Sequence, residues 1–516
     1  MNKKIVVYNN KIVIYDYHYG DSPGLDNSFE LYDRVTHTYK TLGAIYDRKN
    51  ATVTIPRGLD IPYLEKMMGY NAFYDNTCND PRHNLDKILI KYLPKDDKQS
   101  EAISFLTGAG KYSYTKKYPQ LFLALDTGAG KTYLGIFYTA LLNMKTIIIT
   151  TSNEWLSQWA TRFTEHTNII KSEIHSIQGS IDINSLLNKS EKVLNKYKIY
   201  TVTHSTLLSY ANEHGWQAID TLFKKLGIGL KIIDEAHLNF ENIYNIDYAS
   251  SVYKTLYLTA TPIRGDNQEN RIYQTYFNSV PMLDLFDPEN DPHTHYISLR
   301  YKSGFTIREI NACQNMHGFN KQTYSDLVVK KLHFDYISRI VMDMIYHIPG
   351  KKMLFFATNN SIVYFYNWLI YNYPELQSEI GIFTSINDKK SEAKEKQYIL
   401  TTSKSAGAAV DISDLMVCVN LAEPTKSPPQ NKQRFGRTRK YNSFYIDVVD
   451  TSLKVISNYY KASYAMFEKY SLDMKDVVFS DAQLKSTAFK CMYKRLKEFG
   501  GMPFERLDDN GQQSYW

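Results

Sequence analysis

Cysteine is scarce: the 516 residues hold four, Cys78, Cys313, Cys418 and Cys491, widely scattered and never in a C-x-x-C pair. That scatter excludes a zinc finger and a dense disulfide framework, and it suits a reducing compartment. Long apolar runs are missing as well. No stretch of 18 consecutive apolar residues occurs, which argues against a membrane-spanning helix, and Met1 to Lys11 has no apolar core of signal-peptide length. A soluble intracellular protein without a membrane partner is the expectation, in the host cytoplasm if the source is viral. Nor does one sign of charge dominate. The formal charge of +7 is a mild basic bias that permits nucleic acid without demanding it. Tyrosine is plentiful, with 43 residues, but so evenly spread that it reads as core and surface filler rather than a base-stacking platform. With 43% hydrophobic and 22% charged residues the chain is globular, and its length calls for two to four domains.

Residues 1–92 are rich in β-branched and aromatic runs such as Lys4-Ile-Val-Val-Tyr8 and Ala51-Thr-Val-Thr-Ile55, broken by Gly20, Pro23 and Gly24. They predict a small β-rich accessory domain, either a folded cap or a nucleic-acid-engaging module. From Leu93 short apolar strands alternate with amphipathic helices, the pattern of a parallel α/β sheet. The spacing predicts a polar helix over 183–197 among them. Asp287-Pro-Glu-Asn-Asp-Pro292 is a turn-rich acidic break, so residues 93–290 and 291–475 form two α/β domains. Residues 476–516 make a basic helix and tail, whose Lys485, Lys490, Lys494, Arg495 and Lys497 read as a solvated face in preference to a phosphate contact.

The stretch that organises the chain is Leu121-Phe-Leu-Ala-Leu-Asp-Thr-Gly-Ala-Gly-Lys-Thr132, an apolar strand running into a glycine-rich turn. The amides of Thr127, Gly128, Ala129 and Gly130 can close around a triphosphate, Lys131 can reach its β- and γ-phosphates, and the Thr132 hydroxyl can bind Mg²⁺. The first glycine of the usual G-x-x-x-x-G-K-[ST] pattern is Leu125 here. Thr107-Gly-Ala-Gly-Lys111 repeats five of the letters, but Tyr112 replaces the hydroxyl and no apolar strand leads in, so a flexible loop is expected there. A second carboxylate for the metal comes from Lys231-Ile-Ile-Asp-Glu-Ala-His237: Asp234 ends a buried strand, where ligands sit in open α/β sheets, and Glu235 can act as general base on water. ATP and Mg²⁺ are the expected cofactors. The paired histidines His293 and His295 read as incidental rather than metal-binding.

These motifs, in this order, resemble the superfamily 2 helicases of the DEAH-box type, and the arrangement looks most like ATP-dependent DNA helicases of bacteriophages. The resemblance spans roughly Leu93 to Val455. It implies an α/β fold of two tandem RecA-like parallel-sheet domains that share one ATP and grip a nucleic-acid strand, behind the small β-rich N-terminal domain. Gln99 looks like the adenine-reading glutamine. Thr146–Trp159 looks like the motif whose Thr150 and Ser152 face the phosphodiester chain, and Thr203-His-Ser-Thr-Leu207 like the strand-contact motif that follows it. Leu258-Thr-Ala-Thr-Pro262 matches the coupling motif, where Thr259 and Thr261 would link His237 and the γ-phosphate to the nucleic acid. In the second domain, Lys352–Asn359 supplies Thr358 and Asn359, and Tyr398–Asp411 supplies Thr402 for nucleic acid with Gly407 and Asp411 near ribose and phosphates. Gln430–Arg439 places Gln433 and Arg434 at the nucleotide, with Arg437 as arginine finger. The glycine that usually follows Thr438 is absent, so Arg439 or Lys440 completes the pair.

The resemblance implies an ATP hydrolase that moves along nucleic acid through sequence-independent backbone contacts, with DNA favoured, in phage replication, recombination or branch migration. A monomer is expected, with replication or recombination proteins as partners. An RNA helicase, the duplex-translocating subunit of a restriction-type system, and a nucleic-acid-binding scaffold with weak ATPase are the alternatives.

Overall fold

An uninterrupted apolar strand is stable only when both of its faces are covered, and the central strands of this chain are of that kind. The computed structural model describes residues 4–498 apart from 34–35, 76–82, 85, 126–128, 261–266, 286–292, 316–317, 385–386, 388–389, 407–411 and 439. It divides into two compact units, Met1–Phe286 and Asp287–Trp516.

The first unit is built on seven parallel strands, in spatial order Ile174–Ser176, Ile199–Thr203, Thr146–Thr150, Leu230–Asp234, Lys254–Thr259, Gln120–Ala124 and Met282–Asp284. Its side chains alternate between two cores. Leu121, Leu123, Ile148, Ile232 and Leu258 pack on one face, while Phe122, Ala124, Ile147, Ile149, Ile233 and Tyr257 pack on the other. The second core continues without a break into Ile5, Val7, Ile12, Ile14, Val53 and Ile55 of the N-terminal sheet. That sheet has five strands, in order Ile45–Asp47, Thr52–Pro56, Lys11–Tyr15, Lys4–Val7 and Ala72–Tyr74, and only the last pair is parallel.

The second unit repeats the plan. Its seven parallel strands are Ile380–Phe383, Tyr398–Thr401, Lys351–Phe356, Leu415–Ala422, Ser443–Asp450, Thr294–Tyr301 and Met474–Val478. Numbered along the chain, both sheets have the same strand order, 3-4-2-5-6-1-7. Two sheets sharing one unusual order are two copies of one architecture, although no sequence repeat is visible between them.

Three expectations need correction. The helix expected over 183–197 is two, Gly179–Asn188 and Glu191–Leu194, because Lys189 and Ser190 between them take extended backbone angles; serine and asparagine favour such breaks. The repeated Thr107–Lys111 letters form ordered structure instead of a flexible loop. Gly108 closes the helix Asp97–Thr107 in the left-handed conformation, and Gly110–Lys117 is a 3₁₀ helix. The terminal helix Asp481–Glu498 is not a purely solvated basic face. Arg495 is buried, with its guanidinium 3.5 Å from the Tyr346 ring centroid and 4.5 Å from that of Tyr373, and paired with Glu375. Among the described residues no helix is long and apolar enough to cross a membrane.

Candidate functional site

Strands five, six and one of the first sheet are neighbours, so the turns at their carboxyl ends meet at one edge. Register places Asp234 beside Leu258 and Thr259 beside Ala124. The Leu125 amide donates to the Thr259 carbonyl (3.0 Å), and the Ala236 amide to the Leu258 carbonyl (2.9 Å).

After Leu125 the chain turns through Gly130, whose φ of 93° is open to glycine at little cost, into the helix Lys131–Leu142. The Gln99 side chain, buried, donates from Nε2 to the Ala129 carbonyl (3.1 Å) and accepts from the Lys95 amide (3.0 Å). A Cβ at Gly130 would lie 2.2 Å from Gln99 Nε2, so a side chain there would displace the Gln99 amide from the Ala129 carbonyl. Lys131 Nζ donates to the Leu125 carbonyl (3.2 Å) and lies 4.0 Å from Glu235 Oε1. Thr132 stands half-buried in the first turn.

Across from this turn, Asp234 Oδ2 accepts from Trp159 Nε1 (2.8 Å) and Oδ1 from the Glu235 amide (3.0 Å). Burial lifts the Asp234 carboxyl to about 6. The Glu235 charge pushes the same way, while Trp159 and Lys131 pull it back. Metal and proton compete for such a carboxylate. Glu235 has φ 54°, the left-handed region that costs a non-glycine residue. Its Oε2 is buried and makes no hydrogen bond; His237 Nδ1 is 3.2 Å away but turns to Thr259 Oγ1 at 2.7 Å. A buried carboxylate oxygen that accepts no hydrogen bond, with a lysine 4.0 Å from its partner oxygen at the start of a helix, fits a Mg²⁺-bound triphosphate and its attacking water.

Asp126, Thr127, Gly128, Thr261, Gly407, Asp411 and Arg439 lie outside the described residues. The hydroxyls expected at nucleic acid sit at strand-to-helix turns. Thr203, Thr358 and Thr402 accept from the amides of Thr206, Ser361 and Ser405. Asn359 starts the helix Asn359–Asn372, Ser152 precedes the helix Asn153–His166, and Thr150 is buried and donates to the Ser152 carbonyl (3.1 Å). Beside Thr203, His204 is buried with neither ring nitrogen hydrogen-bonded, and burial pushes it down to about 4. Above pH 6.5 it is neutral folded and unfolded. As pH falls from 6.5 to 4 only the unfolded chain takes up the proton, so stability drops, by on the order of 3 kcal/mol once complete. Denaturation midpoints measured over that range should fall less steeply in His204→Leu.

In the second unit the turn after strand one is Lys302-Ser-Gly304, where the Ser303 amide is tied to Asp450 (3.1 Å) and Ser452 (2.9 Å). It has no Gly-Lys-Thr. Arg434, 2% exposed, pairs with Glu423 (2.9 Å) and donates from Nε to Ser403 Oγ (2.6 Å). Arg437 is buried, and Gln433 lies on the helix Pro428–Phe435 that leads to it. His293 donates to the Thr438 carbonyl (2.8 Å), and His295 bonds Asp473 (2.6 Å). Sequence reasoning missed two residues of these sites. Trp159 ends the stretch Thr146–Trp159 with no role assigned to it, and Glu423, the buried hub for Arg434, Ser403 and Lys321, stands in no motif.

Residues 92–264 match the family described as "Type III restriction enzyme, res subunit". A fragment of an HsdR subunit of a type I restriction enzyme from Vibrio vulnificus superposes with a TM-score of 0.50 at 15% identity, covering 91% of this chain and 78% of that one. The chain carries a tandem RecA-like helicase fold. S. cerevisiae Dbp5 bound to RNA and ADP BeF3 is similar at TM-score 0.49 and 16% identity, over 77% of this chain and 93% of that one. T4 UvsW is similar at TM-score 0.36 and 15% identity, over 92% and 99%. No curated protein matches the sequence. The matched segment, residues 92–264, holds both Lys131 and Asp234.

Proposed function

We propose that this chain is an ATP-driven nucleic-acid motor of the DEAH type, a helicase or translocase on DNA that serves phage replication, recombination or branch migration. The observation that carries the reading is the meeting of Lys131, Asp234, Glu235 and the His237–Thr259 pair at one sheet edge. Mg²⁺·ATP, when bound, supplies the phosphoryl group and the cation that neutralises its charge. The amides of Thr127 to Gly130 and the helix N-terminus hold phosphate oxygens, with Lys131 against the terminal ones; Thr132 and Asp234 hold the cation. Gln99 braces the turn and reads adenine. Glu235 takes a proton from the attacking water, and His237 with Thr259 and Thr261 ties that centre to the nucleic-acid side. Within the second unit the nucleotide-facing roles go to Gln433, Gly407, Asp411, Arg434, the finger Arg437, and Arg439 or Lys440. Thr150, Ser152, Thr203, Thr358, Asn359 and Thr402 contact sugar-phosphate, so binding is sequence-independent and weakens with salt.

The match to a restriction res subunit favours a second reading, a duplex-DNA translocase whose nuclease resides on a partner. Steady-state ATPase with single-stranded, duplex and forked DNA and with RNA, side by side, separates the two. Forked or single-stranded DNA is expected to stimulate most, and duplex alone would favour the translocase. RNA alone would overturn the DNA assignment, and no stimulation at all would sink the motor. Lys131→Ala should abolish the stimulated rate in the same assay.

A further inference from the structure

We propose that Trp159 is a positioning residue for Asp234: its indole N–H fixes the plane of the carboxylate that receives the metal and thereby sets the Mg²⁺ affinity of the nucleotide site. This rests on the assignment of Asp234 to the metal, and it holds whether or not the chain moves on nucleic acid.

Trp159 lies on the inner face of the helix Asn153–His166 with Trp155, Leu156 and Phe163, and it is 1% exposed. Its Nε1 lies 2.8 Å from Asp234 Oδ2 and donates to it. An indole N–H only donates, so this bond is made to a carboxylate oxygen and to nothing that competes with it. The far edge of the ring meets the helix that follows the phosphate-binding turn. A Cβ at Gly135 would stand 2.7 Å from Trp159 Cη2, so the glycine is what lets the indole lie between the Lys131–Leu142 helix and the Asp234 strand. One rigid side chain thus spans both halves of the site. With Oδ1 held by the Glu235 amide at 3.0 Å, the two bonds leave the carboxylate no free rotation. Removing the Trp159 bond releases one oxygen inside an otherwise dry wall and lets the group turn away from the cation. A hydrogen bond that orients a metal-ligating carboxylate is typically worth about 10–100-fold in metal affinity.

The test uses the full chain with Trp159 replaced by benzothienylalanine, an isostere that keeps the ring and lacks the N–H, together with Trp159→Phe. Binding of a fluorescent ADP is titrated with Mg²⁺, and again without metal. In both variants the Mg²⁺ concentration for half-maximal effect should rise about 10–100-fold. Metal-free ADP affinity and the thermal midpoint of the isostere should match the parent. A half-saturation within two-fold of the parent in the isostere would overturn the proposal, as would an equal loss of metal-free ADP binding, which would mark a packing role. Neither readout involves nucleic acid, so failure of the motor reading appears separately, in the ATPase comparison.

Discussion

Glu235→Gln is expected to cut ATP turnover by about 10²–10⁴-fold while leaving nucleotide affinity within a few-fold of the parent. Glutamine has the same shape but cannot accept the proton of an attacking water. Glu235 Oε2 is buried and accepts no hydrogen bond, and His237 Nδ1, 3.2 Å from it, bonds Thr259 Oγ1 at 2.7 Å. The backbone pays for the placement with a left-handed φ of 54°, which is held by the bonds on either side, the Glu235 amide to Asp234 Oδ1 (3.0 Å) and the Leu238 amide to the Glu235 carbonyl (2.8 Å). Because Lys131 also donates to the Leu125 carbonyl, losing one negative charge 4.0 Å away should not release it from the turn. Phosphate release under saturating ATP reads the turnover, and equilibrium binding of a fluorescent ATP analogue reads the affinity. Parallel losses in the two would mean that the turn had collapsed and that Glu235 is a structural anchor.

The parts of this architecture that the sequence makes legible are those where local pattern and burial agree. Leu121 to Leu125, Thr146 to Thr150 and Leu230 to Ile233 are covered on both faces, so they read as unbroken apolar runs, and each ends where a turn residue begins. The edge strands Ile174–Ser176, Met282–Asp284, Ile380–Phe383 and Met474–Val478 escape the same reading. They are short, and at three of the four both ends are partly exposed, so nothing forces an apolar run. The glycines of Thr107–Lys111 mislead for the opposite reason: they suggest a flexible loop, but Gly108 is a helix terminator, where a Cβ would meet Lys116 Cγ at 2.5 Å. Pairings across the fold leave no trace in spacing. Trp159 reaches Asp234 across 75 positions, and Arg434 meets Glu423 through a strand-to-helix turn that no motif flags. The composition shift near residue 92 likewise hides that the N-terminal sheet and the first seven-stranded sheet share one core.

That shared core carries the largest expected stability effect. Lys231, inside the strand that ends in Asp234, is fully buried and pairs with the equally buried Asp247 at 2.6 Å. Desolvation lowers the Lys231 pKa and the Asp247 charge opposes it. Lys231 also donates to Ser250 Oγ (2.8 Å), while Asp247 Oδ2 accepts from Tyr257 (2.7 Å) and Tyr276 (2.9 Å). The N-terminal sheet closes the lid: Asn10 Nδ2 donates to the carbonyls of Asp247 (2.6 Å) and Ser250 (3.0 Å), and Lys11 to that of Tyr248 (2.6 Å). Removing one member of such a pair strands the other charge, at roughly 3–5 kcal/mol. The two single variants should nevertheless differ. Asp247→Ala leaves an ammonium and two phenols without their acceptor, whereas Lys231→Met leaves a carboxylate that still has two phenol donors. Asp247→Ala should therefore show the larger fall in urea midpoint, and equal losses, or losses under about 1 kcal/mol, would mean that water reaches the pair. Lys231→Met should still turn over ATP at low temperature, because three strand positions, about 10 Å, separate it from Asp234, whose own bonds to Trp159 and the Glu235 amide do not involve the pair.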